Sequence, residues 1–394
     1  MLPPVAPHVP IPVFATLLLV ACVLALVWTW VIYPTWMIRG ARSAGTASTA
    51  GLSVGPCSVL IATREPPQVV AARFANILET TTPGVIGEML LAIDVSSVFP
   101  LSEYQDAVAG RATVLVGDAP GGKAATLNSA VRRARFDIIV LADSSQRFVD
   151  GAIAAVVAPL SDPSFGGVSG SVQQDSGDDA IDRYWRMDSM IRARQAAMHS
   201  VVTTTGQIAA FRRTLYPVLP AGLICDDLYA TAHVILHGHR VGFAPRAVAL
   251  DGRTFNRAQT LQRKMRTLTG LVQTCRLMPT MLNPLRNPVW MHVYSQKILR
   301  VLSPVFLGVG GWAFLAIVGV LMGWPTPSVI ALLAFAPLLV VYLSAEQAAR
   351  LLGPAAFLWV PLRALRNGLA GRFDVWEHHV KQQGLAPVVP GGVR

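Results

Sequence analysis

Charge is scarce in this chain. Asp, Glu, Lys and Arg make up 14% of its 394 residues, hydrophobic residues 53%, and mean hydropathy is +0.47. That is too apolar for an ordinary soluble enzyme and not apolar enough for a transporter. Acidic residues are the scarcer sign, 22 against 33 basic, for a net charge of +11. Nucleic acid is one partner for such a surface, but the apolar segments make anionic lipid headgroups the more economical reading, so no nucleic acid is expected. The four cysteines, Cys22, Cys57, Cys225 and Cys275, are scattered with no metal-ligand spacing. They read as free thiols in a reducing compartment. Glycine fingerprints for nucleotides are also missing, since Gly121-Gly122-Lys123 lacks the Walker spacing and does not follow a strand directly. Any phosphate must then be held by cationic side chains or a metal. There is no internal repeat, and no low-complexity tract apart from a Gly/Pro-rich tail after Gly384.

The apolarity is concentrated at the two ends. Residues 11–33 carry no charge and are long enough to cross a bilayer. No basic segment precedes them and Tyr33-Pro34-Thr35-Trp36 is not a small-residue cleavage site, which reads against a signal peptide. Arg39 and Arg42 follow at once, so residue 39 onward is expected in the cytoplasm. Residues 302–323 and 327–344 read as two more spans, with Lys297, Arg300 and Arg350 on the inner side. Residues 279–300 read as an interfacial helix, and residues 351–380 as an interfacial or re-entrant one, because Arg363 and Arg366 are costly at bilayer depth. The expected location is a cell inner membrane or plasma membrane, multi-pass. Apart from that last segment, the membrane part has no paired charges or broken helices, which argues against transport.

Between the ends, residues 52–278 form one cytoplasmic domain. Ser58–Ala62, Glu88–Asp94, Ala112–Val116 and 136–142 read as strands, and Val69–Glu79 and Lys123–Arg135 as helices. This alternation predicts an α/β domain with a mainly parallel, Rossmann-like sheet. The run Ile138-Ile139-Val140-Leu141-Ala142 has no polar alternation, as in a strand covered on both faces, and it ends on Asp143. Open α/β sheets bind ligands at that edge. Asp143 there is either a cap for the next helix or a carboxylate that holds a divalent cation. Asp94 ends its strand in the same way, and Asp226-Asp227 has the look of a helix start.

The order of these motifs resembles the membrane-bound family 2 glycosyltransferases, enzymes of GT-A fold, and within them the exopolysaccharide-type subgroup. Ceramide glucosyltransferases and cellulose or hyaluronan synthases are more distant. The likeness spans roughly residues 55–380. Ala62-Thr63-Arg64-Glu65 stands where the family has a PxxNE-like turn, and only Glu65 carries over. Asp94-Val95-Ser96-Ser97 matches the turn whose Asp bonds the uracil ring, and Gly122-Lys123-Ala124-Ala125-Thr126-Leu127-Asn128 the G-K-x-x-x-L-N segment. Asp143-Ser144-Ser145 takes the place of the metal-binding DxD, with Ser145 where a second carboxylate is usual. Thr205-Gly206-Gln207-Ile208-Ala209-Ala210-Phe211-Arg212-Arg213 resembles the acceptor-side segment. Cys225-Asp226-Asp227-Leu228 resembles [ED]-D-x-x-L, and Arg263-Lys264-Met265-Arg266-Thr267 stands in place of Q-x-x-R-W.

The resemblance implies a GT-A domain flanked by transmembrane helices. It implies an inverting glycosyltransferase that uses a UDP-sugar with Mg2+ or Mn2+ at the cytoplasmic face, the acceptor being a membrane lipid or lipid-linked saccharide. Glu65, Asp94, Lys123, Gly206, Arg263 and Arg266 would bind substrates. Asp143 and Ser145 would hold the metal. Asp227 would be the general base, with Asp226 as its runner-up. The alternative is a membrane-tethered GT-A scaffold with weak or no turnover, which the missing second metal carboxylate favours.

Overall fold

A computed structural model describes residues 11–41, 55–174, 179–253, 255–322 and 343–373. The span expected over 327–344 lies almost wholly outside them, as does the tail. The first helices are α1 (Ile11–Val27) and α2 (Tyr33–Ala41), joined through a π-helical turn into one continuous rod. The catalytic-sized domain then runs β1 (Cys57–Thr63), α3 (Pro67–Glu79), β2 (Ile86–Ile93), α4 (Leu101–Val108), β3 (Thr113–Val116), α5 (Lys123–Arg133) and β4 (Ile138–Ala142). It continues through β5 (Arg147–Phe148), α6 (Ala152–Val157), β6 (Phe165–Gln174), α7 (Asp179–Met198) and β7 (Ile208–Arg212). The last elements are α8 (Asp226–Leu236), β8 (Arg240–Asp251) and α9 (Arg257–Leu277).

The strands form one sheet in the order β3-β2-β1-β4-β7-β6-β8-β5. Pairings of β1 with β2 and β4, of β2 with β3, and of β6 with β8 are parallel; those of β7 with β4 and β6, and of β5 with β8, are antiparallel. The sheet is therefore mixed, less uniformly parallel than the alternation predicts. A short apolar run such as Ile208-Ala209-Ala210-Phe211 suits either direction, so the reversal of β7 leaves no mark in its composition. Because only β5 and β7 run backwards, β1, β2, β4 and β8 all end on one edge. The start of β7 lies there too, with Ile208 opposite Ala142.

Both faces of the sheet are covered. Ile139 and Leu141 pack on one side with α5, α8 and Phe211; Ile138, Val140 and Ala142 pack on the other with α3 and α6. All five β4 residues are buried, which accounts for the unbroken apolar run. The four cysteines are free.

C-terminal to α9, residues 279–282 form a 3-10 turn, and helix begins again at α10 (Trp290–Val293). It passes through a π-helical turn into α11 (Leu299–Met322), so the segment 279–300 is a turn followed by the root of a long helix. Two helices, Val13–Gly40 and Trp290–Met322, are long and apolar enough to cross a membrane. They pack through small residues: Ala15, Ala313 and Ala316 are buried together, and a Cβ on Gly310 would lie 3.2 Å from the Cβ of Cys22. Trp28 and Trp30 donate their indole N–H to Ser295 and Ser303 at 2.9 Å each. Phe14, Leu17, Leu24 and Leu321 face outward and exposed, an arrangement suited to hydrocarbon rather than water. The final pair, α12 (Ala345–Leu351) and α13 (Ala356–Leu369), packs Ala348, Trp359 and Val360 against Leu261 of α9. With 14 residues, α13 falls short of the ~20 that a span requires.

Candidate active site

The site is built where the strands end. After β3, Gly121 and Gly122 adopt positive φ (94° and 86°), backbone open to glycine and costly for other residues. Asp94 holds this turn. Its carboxylate accepts the Gly122 N–H at 2.7 Å, the Ser96 N–H and hydroxyl at 2.8 Å, and the Thr126 hydroxyl at 3.5 Å. Burial would raise the Asp94 pKa, but the Ser96 and Gly122 bonds, helped by Arg64, hold it below the usual range. The turn delivers Lys123 as the first residue of α5.

Lys123 is the hub. Its Nζ lies 3.1 Å from Asp143 Oδ1 and 3.3 Å from Asp226 Oδ2. Burial alone would lower its pKa, yet Asp143, Asp226 and Asp227 outweigh that and keep the ammonium well above its ordinary value. Gly206 borders the same point, since a Cβ there would lie 3.3 Å from Lys123 Nζ and 3.9 Å from Asp143 Oδ2. Residues from distant motifs, Asp143, Gly206 and Asp226, thus converge on one ammonium group.

Asp226 and Asp227 open α8, where the helix N-terminus favours negative charge. The Asp227 carboxylate accepts its neighbour's amide, Leu228 N–H, at 2.8 Å. Its carbonyl accepts the Thr231 hydroxyl at 2.6 Å and the Thr204 hydroxyl at 3.4 Å. Burial, then the adjacent Asp226, raises the Asp227 pKa; Lys123, the Leu228 amide and Lys297 oppose the rise without cancelling it. A carboxylate whose pKa is raised in this way is a stronger base than an ordinary one. The influence of Lys297 ties this point to the long helix Trp290–Met322.

Basic residues lie within electrostatic reach of Asp143. A capping box starts α9: the Asn256 side chain accepts Gln259 N–H at 2.9 Å, and the Gln259 side chain accepts Asn256 N–H at 3.0 Å. Arg263 stacks 3.7 Å over the Phe255 ring. Burial and then Arg253 lower its pKa to about 10, with Asp251 and Asp143 acting against them. Arg266 is in electrostatic reach of Arg263 and Cys225. Arg253 lies outside every motif quoted above. It forks onto Asp251 at 2.7 and 2.6 Å and feels the fields of Asp143 and Glu65. Burial would lower its pKa, but Asp251 raises it. The signal was present, because β8 is a third strand that ends on Asp, after those ending at Asp94 and Asp143.

Glu65 joins this group by its field on Arg253, while its backbone is pinned by the Thr63 and Tyr104 hydroxyls. In the turn after Asp143 the Thr63 hydroxyl donates to Ser144 at 3.0 Å, and Ser145 is half-buried beside them. Among the described residues, no three His, Cys, Asp or Glu side chains cluster as a metal cage. Asp143 therefore offers one carboxylate, a donor set that fits a cation carried mainly by phosphate oxygens and water.

Residues 96–275 match the family model described as glycosyltransferase like family 2. No curated protein matches the sequence. Among solved structures, the mannosyltransferase PcManGT from Pyrobaculum calidifontis, in complex with GDP-Man and Mn2+, superposes with a TM-score of 0.65 at 18% identity, over 92% of this chain and 99% of that one. Glucosyl-3-phosphoglycerate synthase from Mycobacterium tuberculosis, in complex with Mn2+, UDP-glucose and phosphoglyceric acid, gives 0.42 at 12% identity, over 61% of this chain and 81% of that one. The first likeness is one of fold; the second is too distant to carry an argument.

Proposed function

The protein is a glycosyltransferase with a family 2, GT-A domain, and on that premise we propose that it moves a sugar, with inversion, from a UDP-sugar to a membrane lipid or lipid-linked saccharide at the cytoplasmic face. The observation that carries this reading is Lys123 set between Asp143 and Asp226, with Asp227 held at a raised pKa beside them. Asp227 takes the proton of the acceptor hydroxyl. The acceptor oxygen bonds to the anomeric carbon as that carbon's bond to the diphosphate breaks, and the electron pair leaves on the diphosphate. Lys123, Arg263, Arg266 and Arg253 neutralise the negative charge that grows there. Asp143, with Ser145 next to it, would hold Mg2+ or Mn2+, which when bound supplies further neutralisation of the leaving group. Gly206 leaves room for a sugar. Asp94 sets the turn that presents Lys123; with four donors already on its carboxylate, it contacts a base only by exchanging one of them.

A membrane acceptor is supported by the two long apolar helices and by Lys297, which links one of them electrostatically to Asp227. The test is donor hydrolysis and transfer in membranes over a panel of UDP-sugars and GDP-mannose. Product from one donor in wild type, and none above background in Asp227→Asn, is expected. Equal product in both removes Asp227 as the base. No metal-dependent nucleotide binding and no product with any donor would leave the inactive scaffold.

A further inference from the structure

The turn that carries Asp143 is held from behind by two side chains of α3. Arg73 and Asn76 lie one helical turn apart on α3, and both are almost fully buried, at 2% and 5% exposure. Arg73 Nε donates to the carbonyl of Asp143 at 3.0 Å, and its Nη1 donates to Asn76 Oδ1 at 2.9 Å. The same Asn76 oxygen accepts the Phe148 N–H at 2.7 Å, and its Nδ2 donates to the Phe148 carbonyl at 3.1 Å. The guanidinium also lies 3.7 Å over the Phe148 ring. Asn76 thus takes both backbone groups of Phe148, as a neighbouring strand would, while β5 pairs on β8 just before Asp251. Arg73 fixes the front of the turn and Asn76 its back.

Simple packing does not require an arginine here. A buried guanidinium is costly to desolvate, and Arg73 Nη2 is buried without a hydrogen-bond partner. Leucine or methionine would fill the space between helix and sheet at lower cost. What only the arginine supplies is a donor aimed at the Asp143 carbonyl.

We infer that Arg73, with Asn76, is a positioning residue for the donor site: the pair sets the peptide after Asp143 and so the direction in which its carboxylate meets the metal and diphosphate. This rests on the donor-site reading above. It is tested on the full chain by calorimetric titration of UDP and GDP with and without Mn2+, and by paramagnetic resonance of Mn2+. Arg73→Met should weaken metal-dependent nucleotide binding by ~10-fold or more, the scale of lost support behind a metal ligand. Metal-free binding should be nearly unchanged. Arg73→Lys, which keeps the charge but cannot reach both partners, should restore little. Equal losses with and without Mn2+, or no loss, overturn the inference. If Arg73→Met does not fold, Asn76→Leu, which removes the oxygen that accepts from both Arg73 and the Phe148 N–H, must show the same selective loss, and its absence is equally decisive. Wild type that binds nucleotide identically with and without Mn2+ removes the metal from Asp143 and this inference with it. Metal-dependent binding without sugar transfer defeats only the reaction proposed above.

Discussion

At the scale of single residues, chemistry depends on how three acids share one ammonium group. Asp227 is buried beside Asp226, and Lys123 bonds Asp143 and Asp226. Replacing the base, Asp227→Asn, should cost ~10²–10⁴ in kcat, the usual range for a lost general base. The wild-type kcat/KM should rise with pH through an apparent pKa above the ordinary carboxylate value, and that limb should vanish in the variant. The sign for stability follows from the same shift. A raised folded-state pKa contributes stability that is full below the unfolded value and lost as pH rises through the raised one. The Asn variant should therefore resist urea at least as well as wild type at pH 7. Asp94 has the opposite sign. Its lowered pKa contributes stability present above the unfolded value and lost as pH falls through the folded one. Asp94→Asn leaves the Gly122 N–H facing an amide or no acceptor, at a cost of ~1–3 kcal/mol. That deficit, read from urea midpoints, should close as the pH is taken below 4 (~3.9 being the unperturbed value).

At the scale of elements, the site is set by how α9 meets α8. Gly270 is the contact: a Cβ there would fall 2.4 Å from Cys225 Sγ and 2.9 Å from Ile224 Cγ2. Cys225 directly precedes α8, whose first residues are Asp226 and Asp227. Gly270→Ala should therefore push the two acids away from Lys123, destabilising the domain by about 1–3 kcal/mol and lowering kcat more than donor KM. Cys225→Ala in the same chain should return part of both, and a thermal and kinetic double-mutant cycle measures the coupling. Elements of this kind were largely legible in sequence. The strands at 57–63, 86–93 and 138–142, and the helices at 67–79 and 123–133, lie within a few residues of their expected places, because long apolar runs and glycine turns mark them locally. The direction of β7 was not legible, and neither was the clamp on the Asp143 turn. Arg73 stands in an amphipathic helix where any arginine looks like a solvent residue, and only burial distinguishes it.

At the scale of the whole molecule, two helices with exposed apolar flanks join each other through Trp–Ser hydrogen bonds and a small-residue seam, and meet the domain at Gln195 of α7, whose side-chain amide donates to Tyr33 at 2.9 Å and Gln296 at 2.7 Å. Alkaline carbonate should leave the chain in the membrane pellet; release into the supernatant would assign both helices to a soluble fold. Gly310→Leu, which brings bulk against Cys22, should lower thermal stability in detergent while leaving nucleotide affinity unchanged, since Gly310 lies roughly 20 Å of helix beyond Lys297, the residue of that helix whose field reaches Asp227.

The strands that end on carboxylates, the order of the motifs and the apolar ends are all readable in the chain before it folds, because each is written in local composition and spacing. The chain also points to Lys123, Asp143, Gly206 and Asp227 separately. Folding is what brings Asp143, Gly206 and Asp226 to the Lys123 ammonium with Asp227 in its field, sets Arg253 just beyond β8 in the field of Asp143, and places Arg73 behind Asp143. Convergence of that kind depends on strand direction and on which face of a helix is buried, and neither is encoded within a single segment of chain.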